Sequence, residues 1–151
     1  MMTCGRTTRA AVVFLRLALA AAFFSAVADR FGLWGKAGAP GVAWGSFDKF
    51  LAYTGELLWF LPSALIPAFA WAATVLEFSL AVALLIGVWT RPAAFVSGLL
   101  LLTFAVTMTA ALGPEPPLSY SVWTAAAASF LLASLRHEPP AIAIEPDEED
   151  A

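Results

Sequence analysis

The sequence predicts an all-α integral membrane protein, a four-helix bundle with one further amphipathic helix lying at the membrane interface between its first and second spans. Three observations predict it. The chain is 61% hydrophobic and 13% charged, with a mean hydropathy of +0.82; soluble domains are about half apolar, and one could not hide this much nonpolar surface. Four apolar stretches approach the roughly 20 residues that a helix needs to cross the hydrocarbon layer with its backbone groups paired. The breaks between them are sharp and rich in glycine and proline.

The first stretch covers residues 10–28 (AAVVFLRLALAAAFFSAVA), preceded by a short cytoplasmic arm, residues 1–9. Arg6, Arg9 and Arg16, with Ala26-Val27-Ala28 before Asp29, also fit a cleaved signal peptide. Against that reading, the apolar run continues on both sides of Arg16 for about a full membrane width. The second stretch covers 63–87 (SALIPAFAWAATVLEFSLAVALLIG), the third 92–112 (PAAFVSGLLLLTFAVTMTAAL) and the fourth 118–135 (LSYSVWTAAAASFLLASL). Thr90-Arg91-Pro92 places threonine where an N-cap belongs and proline in a first turn, where its missing N–H costs nothing. The GPEPP run at 113–117 ends the third helix and restarts the chain.

The connection between the first two spans changes character midway. Residues 29–45 are glycine-rich and carry Trp34 and Trp44, whereas residues 46–62 adopt a helical period. Phe47, Phe50, Leu51, Leu57, Leu58 and Leu61 fall on one face and Asp48, Lys49 and Glu56 on the other, with Ser46 as N-cap and Pro62 as stop. Such a helix either lies flat at the outer interface, a depth that suits Tyr53 and Trp59, or caps the bundle and faces protein. Residues 136–151 hold prolines and a charge run without a period, which predicts a disordered acidic tail.

Charge placement bears on orientation and partners. Six of the eleven acidic residues lie in the last fourteen positions, so the formal charge of −3 belongs to the tail. Arg6, Arg9, Arg91 and Arg136 fall on one side of four spans and Arg30, Lys36 and Lys49 on the other. The positive-inside rule then places both termini in the cytoplasm. No basic cluster of the kind that reads nucleic acid is present. The single cysteine, Cys4, excludes an intrachain disulfide or CxxC redox pair. The sequence has no dinucleotide fingerprint, Walker loop or HExxH pair, and its lone histidine, His137, lies in the tail. No intrinsic cofactor and no metal site of this chain's own are expected.

Two charges fall inside the spans, Arg16 and Glu77. A charge at mid-membrane costs about 2.5–3.5 kcal/mol on insertion scales, so each needs a partner or a task. Counted from the cytoplasmic side, Arg16 lies about 10 Å deep and Glu77 about 15 Å deep, which lets an arginine reach the carboxylate. A direction argument opposes this pairing: helical side chains lean toward their own N-terminus, which draws the two apart. The alternative is that Arg16 snorkels to the headgroups while Glu77 is a neutral acid bonded to a hydroxyl. Thr74, Glu77 and Ala81 share a stripe, Thr103 and Thr107 lie a turn apart, and Ala125, Ser129 and Ala133 repeat every four residues. Such patterns are chiefly packing and interhelical hydrogen-bond features. Arg16, Glu77, Thr74, Thr103 and Thr107 are therefore the candidate polar site.

FLRLALAAAFF (14–24), SAVADRFGLWG (25–35), GSFDKFLAYTGELLWFLP (45–62) and TVLEFSLAVALLIGVWTRPAAFVSGLLLL (74–102) together resemble the DoxX family of small four-helix bacterial membrane proteins, over about residues 10–135. The resemblance implies a membrane subunit or accessory of a quinone-linked oxidoreductase system, with a soluble or membrane redox partner. A quinone would then sit near Arg16 and Glu77, the arginine donating to a quinone oxygen and the carboxyl exchanging a proton. Two other functions remain open on the residues alone. One is a non-catalytic scaffold that recruits a soluble partner. The other is a small-molecule carrier, which would call for a homo-oligomer because four helices enclose little space.

Overall fold

The computed structural model describes residues 6–135. The arm before residue 6 and the acidic tail, with Cys4 and His137, lie outside the described residues. The described chain is helical, without a strand: α1 (Arg6–Arg30), α2 (Phe47–Leu57), α3 (Ile66–Ile86, entered through a 3-10 turn at Ser63–Leu65), α4 (Thr90–Leu112), α5 (Glu115–Ser119) and α6 (Val122–Ser134). Three helical segments are long and apolar enough to cross a membrane, Thr7–Arg30, Ser63–Ile86 and Thr90–Leu112. α1 begins four residues before the apolar run does. The part of the arm from Arg6 to Arg9 is thus continuous with the helix, because no breaker separates it from the apolar run.

The chain boundaries follow the breakers, with instructive shifts. Gly87 ends α3 in the left-handed region (φ 83°), its N–H bonded to Ala83 O. Thr90 does not cap α4: the position before it, Trp89, is the cap (φ 49°), and the Thr90 hydroxyl turns back to Gly87 O at 3.1 Å. Pro92 sits in the first turn as its missing N–H demands. The expected fourth span does not run unbroken from 118. Glu115–Ser119 forms its own short helix with prolines in its first turn, and a left-handed Ser121 (φ 57°) separates it from the 13-residue α6. At about 1.5 Å per residue α6 is about 20 Å long.

Helix α2 starts at Ser46, whose Oγ accepts from Lys49 N, and ends at Leu57, five residues before Pro62. Phe50, Thr54 and Leu57 are its buried face, while Asp48, Lys49 and Glu56 are exposed. Phe47 stacks on Phe31 and Trp71 at centroid distances of 5.9 and 4.4 Å. This helix therefore packs onto α3 through the Phe47–Trp71 contact and also touches α4, while Asp48, Lys49 and Glu56 keep their charges exposed.

The core joins α1 and α3 through Leu19, Ala20, Phe23, Leu80, Ala81 and Leu84, and reaches α4 through Ala93 and Ala94. α6 packs chiefly on α4; of its small residues Ser129 is fully buried, while Ala125 and Ala133 are half-buried. Gly98 supplies the matching recess, since a Cβ there would lie 2.7 Å from the Phe130 ring. α4 and α6 approach closely because a side chain is absent at that point.

Candidate functional site

Glu77 occupies the middle of α3 and is 1% exposed. Its partner is Arg30, not Arg16. Arg30 Nη2 donates to Glu77 Oε1 at 2.6 Å, and Nη1 donates to Thr74 Oγ1 at 2.9 Å, with Arg30 itself 2% exposed. The Thr74 hydroxyl donates to Ala70 O at 2.8 Å, so it accepts from Arg30 and donates to its own helix at once. The guanidinium lies over the Phe50 ring, 3.8 Å from its centroid, with the Trp44 ring at 5.4 Å. Phe50 thereby covers the ion pair with a face that favours cations.

The expected Arg16–Glu77 pair is thus corrected, for a geometric reason. Arg16 lies against Gly87, where an added Cβ would meet its Nη1 at 2.5 Å. Gly87 is ten residues from Glu77 along α3, about 15 Å, beyond an arginine's reach. The lean of helical side chains accounts for the partner that is found: on antiparallel α1 and α3, Arg30 and Glu77 both incline toward the depth between them. Sequence reasoning missed Arg30 by counting it among the charges of the following connection. The signal was its position two residues beyond the apolar run, about half a helical turn, together with that direction argument.

Next to Arg30, Asp29 is also buried, at 5% exposure. Its Oδ2 accepts from the Trp44 backbone N–H at 2.7 Å, tying the start of the 31–46 connection to its end. Three polar atoms of this cluster have no protein partner: Asp29 Oδ1, Arg30 Nε and Glu77 Oε2. Replacing Asp29 by alanine should cost about 1.5–3 kcal/mol, as for a hydrogen bond to a charged acceptor. Faster hydrogen exchange at the Trp44 amide and easier proteolysis within residues 31–46 would register it, with Asp29→Asn milder.

The ion pair forms part of the wall of a chamber of about 1030 Å³ bounded by α1, α2, α3, α4 and the α5–α6 corner. The lining is largely apolar, with the charged Arg30, Lys49, Glu56 and Glu77 and the hydroxyls of Tyr53, Thr54, Thr103, Thr107 and Tyr120 as its main polar members. Thr103 donates to Leu99 O and Thr107 to Thr103 O, both at 2.9 Å. The expectation of interhelical threonine bonds fails here because each hydroxyl finds the carbonyl four residues back in its own helix. Both still face the chamber. Burial first, then Tyr120 and Glu56, pushes the Tyr53 phenol above its ordinary range, so it stays a neutral donor at the chamber wall.

Of the five sequence-derived candidates, the structure brings Glu77 and Thr74 together with Arg30, sets Thr103 and Thr107 on the chamber wall, and leaves Arg16 near the middle of α1, against Gly87 at the far end of α3. Among the described residues no group of three histidine, cysteine, aspartate or glutamate side chains is placed to hold a metal ion. Comparison with protein-family models, with curated proteins and with solved structures finds no match.

Proposed function

We propose that this chain is a multi-pass bacterial inner-membrane protein of the DoxX type that takes a polar-headed lipophile, of the quinone class, into the chamber beside Arg30 and Glu77. In this reading α1, α3, α4 and the shorter α6 cross the bilayer, with α5 supplementing the last, α2 lies at the outer interface, and both termini are cytoplasmic. The observation that carries the ligand is the juxtaposition of a buried ion pair with an apolar chamber. Its volume, about 1030 Å³, is at the upper end of small-molecule sites. Arg30 Nε and Glu77 Oε2 lack protein partners; a quinone carbonyl that reached them would accept from Nε, and the hydroxyl of the reduced quinol would donate to Oε2. The link to a redox partner rests on the sequence resemblance alone, and fold-level kinship does not carry chemistry.

A second reading, a carrier of lipophilic molecules, is favoured by one observation: the partly open cavity of a single chain, about 1030 Å³, is larger than four helices were expected to hold. Nothing comparable favours the scaffold.

Thr103→Phe tests the ligand without touching the ion pair, because it fills the chamber from an exposed position whose hydroxyl bonds only its own helix. Mass spectrometry of protein purified in mild detergent should find a quinone retained by the parent chain and depleted at least tenfold in the variant. A parent chain that carries phospholipid alone would refute the quinone assignment.

A further inference from the structure

The basic residues at the opposite end of the bundle from the ion pair form an arrangement that the chamber does not use. Arg9 and Arg16 are seven residues apart on α1, two turns, and so lie on one face. Arg16 rests on Gly87 at the end of α3, and Arg91 follows Gly87 by four residues, at the start of α4. Among the described residues this end has no acidic side chain. Asp29, Asp48, Glu56 and Glu115 belong to the other end of the helices, and Glu77 is held by Arg30.

The arginines are also short of protein acceptors. Among the described residues Arg16 makes no hydrogen bond or ion pair: its Nε is sealed without a partner, and its terminal nitrogens lie at the Gly87 surface. Arg91 spends only Nε, on Ala133 O at 3.1 Å, leaving the far edge of its guanidinium open. Large apolar side chains flank this end and face outward, among them Phe14, Ile86 and Trp89, the last 80% exposed. Cations without partners beside an apolar belt with an interfacial tryptophan are complementary to one kind of molecule, an anionic lipid, which brings a phosphate and acyl chains together.

We propose that Arg9, Arg16 and Arg91 form a docking surface for the headgroups of anionic phospholipids, with Arg16 at its centre. Gly87 is part of the device, because any side chain there would displace the Arg16 guanidinium. The surface rests on the reading of the chain as membrane-spanning, and it is independent of whether the chamber holds a quinone.

The full chain, reconstituted into vesicles of equal phosphatidylglycerol and phosphatidylcholine, tests it, with the retained lipids measured by native mass spectrometry. The parent chain should enrich phosphatidylglycerol. Arg16→Gln combined with Arg91→Gln should lower that enrichment fivefold or more, since each basic residue near the surface contributes severalfold. Lys36→Gln, at the other end, should leave it unchanged. Failure of the parent chain to enter vesicles would overturn the membrane reading and this surface together. Entry without enrichment would overturn the surface alone. Displacement of the lipid by millimolar inorganic phosphate would also overturn it, in favour of a soluble anion.

Discussion

Arg30→Leu should destabilise the fold by about 3–5 kcal/mol, because it strands the Glu77 carboxylate among apolar neighbours with Thr74 as its nearest polar group. Glu77→Leu should cost a similar amount by stranding the guanidinium, whose remaining contacts are Thr74 and the faces of Phe50 and Trp44. The double replacement should be much milder than the sum of the two, since it removes both charges and leaves groups that pack. Unfolding of purified protein in mixed detergent, followed by circular dichroism, measures all three. Arg16→Leu provides the control: placed about 15 Å from Glu77 along α3, it should show additive behaviour with Glu77→Leu. Coupling of Glu77 to Arg16 in place of Arg30 would contradict the geometry described here.

The second large effect is expected at Gly98. A Cβ at that position would stand 2.7 Å from the Phe130 ring and about as close to two more of its atoms. Gly98→Val should therefore force α4 and α6 apart at a cost of about 1–3 kcal/mol, typical of overpacking a tight contact. Phe130 also packs edge-to-face on Phe95 at 5.8 Å, so the ring cannot swing away without losing that contact. Shortening the ring in a Gly98→Val, Phe130→Leu double variant should recover part of the loss. The same detergent unfolding, with size-exclusion chromatography to detect opened bundles, reads the result. An unchanged midpoint for Gly98→Val would show that α6 is not held against α4 at this place.

Much of the fold is legible in the residues because local chemistry decides it. The apolar runs, Gly87, Pro92 and the GPEPP turn mark where helices begin and end, and Ser46 marks the start of α2. Among the boundaries that fall elsewhere than the sequence predicts, two have a clear physical reason. Trp89 takes the left-handed cap position although threonine stands beside it, because the Thr90 hydroxyl is drawn to Gly87 O. The break at Ser121 is a left-handed residue without glycine, a conformation that nothing in its local sequence announces.

The candidate site was half legible. Glu77 with Thr74 stood out as polarity inside an apolar run, and the stripe they share with Ala81 is buried. Their partner did not stand out, because arginine at the end of a helix looks like an interfacial charge until the neighbouring helix is placed beside it.

What the sequence determined by itself is the solvent this chain is made for and the places where its helices start and stop. Both depend on properties that residues carry alone or share with near neighbours: apolarity over some twenty positions, a missing N–H, a permissive φ. What only the tertiary structure decided is which cation neutralises Glu77, which end of α1 keeps its arginine unpaired, and that a chamber opens beside the ion pair. Those depend on the offset between antiparallel α1 and α3 and on Phe50 of α2 closing over Arg30, relations between segments 44 and 47 residues apart that no local pattern records.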